Sequence, residues 1–219
     1  MLRVSVALAS LLLLVPSYAV SLDNDKELAL KYQQQIEQIE LTNSPYVIVE
    51  DLAKVVFKSV ADAKSLADKE QEKQRMKMIV EEQLIPFVDI RFASYKILGP
   101  QLKQSTREER DLFVDAMRKI LVETYSSALI QYNNQKINYE QERDVSGKKT
   151  VAIRTELEQP GAKPLSMVFK LRKNTKTNEW RAYDLVVEGI SLVDAKRAEL
   201  SKPLRDKGIG DVANELLKS

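Results

Sequence analysis

Cysteine and histidine are both absent from this 219-residue chain. Without them there can be no Ser-His-Asp triad, no thiol nucleophile and no His/Cys zinc site. Disulfides are excluded too, so an exported form of the chain must be held together by packing alone. A surplus of one charge is missing as well: 34 basic residues face 32 acidic ones. Such a balance gives no case for binding nucleic acid. There is no D-x-D-x-D-G calcium loop, no phosphate-binding loop and no internal repeat. Carboxylates, Tyr, Lys or an oxygen-ligated metal are the chemistry left open.

Long apolar runs are scarce, and the one that stands out is at the start. Arg3 precedes an apolar stretch from Val4 to Val15, followed by Pro16-Ser17-Tyr18-Ala19. A short charged start, a brief apolar core and small residues at Ser17 and Ala19 predict a secretory leader over residues 1–19, cleaved after Ala19. The core is too short for a spanning helix, which needs about 20 apolar residues. No other stretch is long and apolar enough to span. Cleavage leaves residues 20–219, long enough for one domain with a real core. Losing Arg3 takes the formal charge from +2 to +1.

The remainder divides into two blocks. Residues 44–134 read as helical. Ser44-Pro45 signals a helix start, and Val49, Leu52, Ala53, Val56 and Val60 recur on one face. A charged helix follows from about Lys69, with Met76, Ile79, Val80 and Leu84 as its buried stripe and Pro86 as its end. Another short helix begins at Phe87-Val88-Asp89 and stops at Gly99-Pro100. Thr106 and Glu109 form a capping box. Behind it Phe113, Ala116, Met117, Ile120, Leu121, Thr124, Tyr125 and Ala128 recur at helical spacing. Asp23 to Glu40 is polar and reads as a loose N-terminal helix.

Residues 136–190 read as strands. Lys136 to Glu142 alternates weakly. Val151, Ile153 and Leu157 share one face, and Leu165, Met167, Phe169 and Leu171 share another run of alternation. Trp180 to Leu192 places Tyr183, Leu185 and Val187 on one side and Trp180, Ala182 and Val186 on the other. Gly189 breaks that strand, and Ser191 with Asp194 starts the C-terminal helices, 191–218. Turn residues at Ser146-Gly147, Pro160-Gly161 and Asn174–Asn178 join four strands into an antiparallel meander. The predicted class is therefore α+β, a four-stranded meander whose apolar face is covered by helices. Gly208-Ile-Gly210-Asp-Val-Ala213 imitates a dinucleotide fingerprint, but no strand precedes it and only six residues follow. It reads as a helix end and a short last helix. Met, Phe and Tyr on both layers favour an adaptable apolar cavity between them.

The segment order resembles the periplasmic phospholipid-binding proteins of the Mla pathway (maintenance of outer-membrane lipid asymmetry), also called the toluene-tolerance family. The matching residues are Leu84 to Asp89, Phe92-Ala93, Leu98-Gly99, Thr106 to Arg110, Phe113, Leu121, Tyr125, Ala128-Leu129, Val151 and Ile153. They continue with Phe169, Arg172 to Asn174, Trp180, Ala182 to Asp184, Glu188-Gly189, Ser191-Leu192, Leu204-Arg205 and Lys207-Gly208. The resemblance covers about residues 45–217. It departs at Arg107, where the family often has a proline after the Thr cap.

The resemblance implies a monomeric, non-enzymatic carrier in the periplasm of a Gram-negative cell, with no cofactor and no metal. Its ligand would be a diacyl phospholipid. Its partners would be an inner-membrane ABC transporter with a lipid-binding ring and an outer-membrane lipoprotein–porin complex. Physically such a carrier is needed, because each exposed CH₂ costs about 0.8 kcal/mol and two acyl chains on the order of 20 kcal/mol. Family cavities lie between sheet and helices. The expected lipid contacts are Leu52, Val56, Val88, Phe92, Phe113, Met117, Leu121 and Tyr125 from the helices. From the sheet they are Val151, Ile153, Leu165, Met167, Phe169, Leu171, Tyr183, Leu185, Val187 and Ile190. Two other readings stay open: a secreted small-ligand binder or enzyme using Asp184 or Tyr183 as acid or base, and an exported interaction protein without a cavity. Asp184 and Glu188 could orient a headgroup, bind a metal or form an acid pair; the structural reading is that Asp184 bonds backbone or an Arg and Glu188 caps a neighbouring element.

Overall fold

The computed structural model describes residues 17–66 and 68–218, with side chains from Glu27 onward. The leader expected over 1–19 lies outside the described residues, apart from 17–19 at the start of the first helix. Among the described residues no helix is long and apolar enough to cross a membrane.

Helix α1 spans Ser17–Glu37 and α2 Pro45–Lys64. Pro45 opens α2 as the sequence predicts, but the Ser44 hydroxyl makes no cap bond. The buried Tyr32 hydroxyl donates to Asp62, pinning α1 to α2. Helix α3, Lys69–Met78, starts at Asp68, whose carboxylate accepts from the Glu70 and Gln71 amides. It does not run on to Pro86 as a plain helix. Ile79–Leu84 widens to a π-turn and Ile85–Phe87 tightens to a 3₁₀ turn.

The expected helix start at Phe87 moves to Ile90. Val88 instead forms a parallel bridge to Ala182, and the Asp89 amide donates to the Ala182 carbonyl at 2.7 Å. Asp89 then caps α4, Ile90–Leu98. After a 3₁₀ turn at Gly99–Gln104, Thr106 and Glu109 close a full capping box on α5, Arg107–Gln131. Helices α6, Leu192–Lys207, and α7, Ile209–Lys218, end the chain, divided at Gly208 with φ of 85°.

The sheet is open and antiparallel, in the order β1 (Ile137–Tyr139), β2 (Thr150–Leu157), β3 (Leu165–Lys173), β4 (Trp180–Val187) and β5 (Ile190–Ser191). The class is α+β as predicted, with five strands rather than four. The extra strand exists because Glu188 and Gly189 both take positive φ, 49° and 84°, as a two-residue hairpin turn requires. Gly189 therefore folds the strand back instead of ending it, and Ile190 pairs with Val187. The Glu188 carboxylate accepts from the Ser166 amide at 2.5 Å, tying this turn to the start of β3.

A β-bulge changes which side chains share a face. The register passes from Lys170↔Asp184 to Leu171↔Ala182, leaving Tyr183 without a partner. Strict alternation separates Trp180 and Ala182 from Leu185. The bulge restores them to its side, since paired residues share a face and Lys173, Leu171 and Phe169 pair with Trp180, Ala182 and Leu185.

Three buried clusters hold the layers. Phe113, Ala116 and Met117 of α5 pack with α4, α6 and α7. Val56, Val60 and Met76 join α2 to α3. Ile153, Leu171 and Trp180 of the sheet pack on Ile48 and Val49 of α2 and on Phe87.

Candidate functional site

Where α2, α4, α5 and α6 arch over the upper sheet, the layers do not close. The space left is a cavity of about 420 Å³. Its wall includes Leu52, Ala53 and Val56 from α2, Val88, and Ile90, Ala93, Ser94 and Ile97 from α4. Helix α5 adds Met117, Ile120, Leu121, Thr124, Tyr125 and Leu129. The sheet adds Phe169, Leu171, Ala182, Tyr183, Asp184 and Leu185, and α6 adds Leu192, Val193, Ala195, Lys196 and Glu199. Apolar atoms dominate this wall. A second cleft of about 340 Å³ is lined by Lys77, Glu81, Asp115, Arg118, Lys119, Val122 and Glu123. Its charged lining does not suit an apolar ligand.

Ten of the expected contacts meet in the cavity wall: Leu52, Val56, Val88, Met117, Leu121, Tyr125, Phe169, Leu171, Tyr183 and Leu185. Eight stand elsewhere. Phe113 is fully buried in the helical core, on a face of α5 turned to α4 and α7. Ile153 is buried behind the cavity against Leu171 and Trp180, and Val151 packs on the same cluster. Phe92 stands beside the wall, edge-on to Tyr183 at 5.2 Å with the Arg172 guanidinium 4.2 Å over its ring. Leu165, Met167 and Val187 are half-buried and continue the apolar sheet face beyond the cavity. Ile190, on β5, is 63% exposed.

Several wall residues escaped the sequence reading. Ala53, Leu84, Ile120, Thr124 and Ala128 stood in the apolar stripes but read as ordinary core. Ala182 was hidden by the bulge. The α6 face, Leu192 to Glu199, carried no signal because its charged residues mask a narrow apolar edge.

Charge is confined to two places. Lys196 and Glu199 pair at 2.6 Å on α6, where Glu199 is exposed, so this helix forms a polar rim. Deeper in, the buried Asp184 carboxylate is fully engaged. It accepts from Lys170 Nζ at 2.9 Å, the Ser191 hydroxyl at 2.7 Å and the Val193 amide at 3.1 Å. The bond to Asp184 raises the Lys170 pKa. Asp184 thus ties β3 and β4 to the first turn of α6. Burial, and secondarily the Asp184 charge, pushes the Tyr125 phenol up to about 12. That phenol is neutral at any ordinary pH and can donate a hydrogen bond.

Sheet, helical cover and the apolar space between them define a class: an α+β protein with an apolar cavity between its layers. The MlaC protein family model matches residues 50–218, and the chain belongs to that family. It is 29% identical over 177 residues to the intermembrane phospholipid transport system binding protein MlaC of Haemophilus influenzae, covering 80% of this chain and 82% of that one. A Ralstonia solanacearum phospholipid-binding protein, solved in complex with a phospholipid, has the same fold. Its TM-score is 0.69 at 19% identity, over 80% of this chain and 96% of that one.

Proposed function

We propose that this chain is a periplasmic phospholipid carrier, formed as a single domain from residue 20 once a leader over 1–19 is removed. It takes acyl chains into the cavity and returns the lipid intact. Its role is to shuttle phospholipid between an outer-membrane lipoprotein–porin complex and an inner-membrane ABC transporter with a lipid-binding ring, keeping the outer membrane asymmetric. The observation that carries this reading is the apolar cavity between sheet and helices, charged only at Asp184 and at the α6 rim, in a chain of the MlaC family.

The cavity needs only to replace the bilayer as an apolar solvent, so no reacting group is required. Asp184 is a poor candidate for a catalytic base, since three donors already occupy its oxygens. The ten nominated residues in the wall are the proposed acyl contacts. The test is mass spectrometry of lipid extracted from the purified protein, before and after mixing with phospholipid vesicles. Intact diacyl phospholipid is expected. Repeated absence of lipid, or release of cleaved lipid, overturns the proposal. Leu185→Glu places an unpaired charge in the wall and should abolish the lipid signal.

A further inference from the structure

Four residues of the cavity wall, Ser94, Thr124, Tyr125 and Tyr183, carry hydroxyls with no hydrogen-bond partner among the described residues, and Tyr125 and Ser94 are the two candidates for a ligand contact. Tyr125 is in the last two turns of α5, and its phenol hydrogen-bonds to no described residue. Ser94 of α4 is fully buried, and its hydroxyl also lacks a partner. Buried polar groups are nearly always satisfied, and an unmade bond is costly when water is scarce. Tyr125 is half-buried and faces the cavity, so its hydroxyl is cut off from water once an apolar ligand fills that space, and burial already raises its pKa. The Asp184 oxygens do not relieve it, being held by Lys170, Ser191 and the Val193 amide. When a ligand displaces water from the cavity, that ligand is the remaining source of a partner.

The site restricts what that partner is. A neutral phenol beside a carboxylate offers a proton, so the incoming group must accept one. A phosphate is disfavoured by the loss of its hydration against an apolar wall, where the Lys170 cation is already paired with Asp184. A neutral carbonyl meets both conditions. In a diacyl lipid the ester carbonyls are such groups, and they are bonded directly to the chains that fill the cavity.

We infer that Tyr125 reads the ester linkage: its phenol donates a hydrogen bond to an acyl ester carbonyl, so the protein selects ester-linked over ether-linked lipid. This rests on the carrier reading above and adds a specificity determinant to it. The headgroup plays no part in the selection, which suits a carrier serving several phospholipids.

The experiment is a competition. Purified full chain is mixed with vesicles holding equal parts of a diacyl phosphatidylethanolamine and its dialkyl-ether counterpart with the same chain lengths. Bound lipid is counted by mass spectrometry. Wild type should take the diester in about fivefold excess, the worth of one net hydrogen bond. Tyr125→Phe should bring the ratio close to one. Equal uptake by wild type, or an undiminished preference in Tyr125→Phe, overturns the inference while leaving the carrier intact. A ratio that collapses in Ser94→Ala but not in Tyr125→Phe also overturns it, by moving the role to α4. Uptake of neither lipid overturns the carrier reading itself. Wild type supplies a measurement independent of the variant's folding. Infrared spectra of bound lipid labelled with ¹³C at the ester carbonyls should contain a band shifted to lower frequency than in alkane. A wholly unshifted band refutes the bond.

Discussion

Asp184→Ala tests whether the one buried carboxylate of the cavity wall is structural. The side chain is 2% exposed and accepts three hydrogen bonds, so its removal acts on three groups at once. Lys170 is 33% exposed and can turn to water, which makes its loss modest. Ser191 keeps its bond to the Asp194 amide at 3.1 Å. The buried Val193 amide has no such escape and is left unsatisfied, a cost of about 1–3 kcal/mol. Loss of a charge-assisted bond network at the start of α6 brings the total to about 3 kcal/mol. In a domain of this size that lowers Tm by about 6–12 °C. Asp184→Asn can still accept from Val193 and should lose about half as much. The assay is urea unfolding followed by fluorescence of Trp180, the only tryptophan, which is buried at the start of the same strand. The midpoint should fall at constant slope. An Asp184→Ala midpoint within about 1 kcal/mol of wild type refutes the reasoning and returns Asp184 to the list of reactive groups.

Alkaline pH supplies a second test. Burial pushes Tyr125 and Tyr139 up to about 12, and Asp184 raises Lys170. Groups whose folded pKa exceeds the unfolded one stabilise fully below the unfolded value, and that contribution is lost as pH rises through the folded value. The urea midpoint should therefore hold to about pH 9.5 and then fall, with a loss of about 2 kcal/mol from Tyr125 alone by pH 12. A flat profile from pH 9 to 11.5 contradicts this. Gly99→Ala should cost about 1–2 kcal/mol by thermal melting. Its φ of 53° strains a side chain, and the added Cβ would meet the Arg197 guanidinium at 3.0 Å; an unchanged Tm refutes both grounds.

Much of the local structure was legible in the sequence because its causes are local. The Thr106–Glu109 box, Pro45 at the head of α2 and Gly208 between α6 and α7 each act within a few residues. Alternation in β2 correctly put Val151, Ile153 and Leu157 on the inner face. The cavity was harder to read, because an apolar stripe looks the same whether it packs on a neighbour or faces a space. Phe113 and Met117 lie four apart on α5, yet the first is plain core and the second is wall. Which is which depends on where α4 and α7 lie.

The sequence by itself determined the class of the fold, the place of most helices and of four strands, and the exclusion of histidine and cysteine chemistry. These follow from periodicity, capping and composition, which are properties of neighbouring residues. Only the tertiary structure decided that Ala182 shares a face with Leu185, that Ile190 belongs to an exposed fifth strand, and that Asp184 joins β4 to α6. It also decided that the Tyr125 phenol has no hydrogen-bond partner among the described residues. A bulge, a hairpin register and an unfilled volume are set by contacts between segments far apart in the chain, and no local pattern records them.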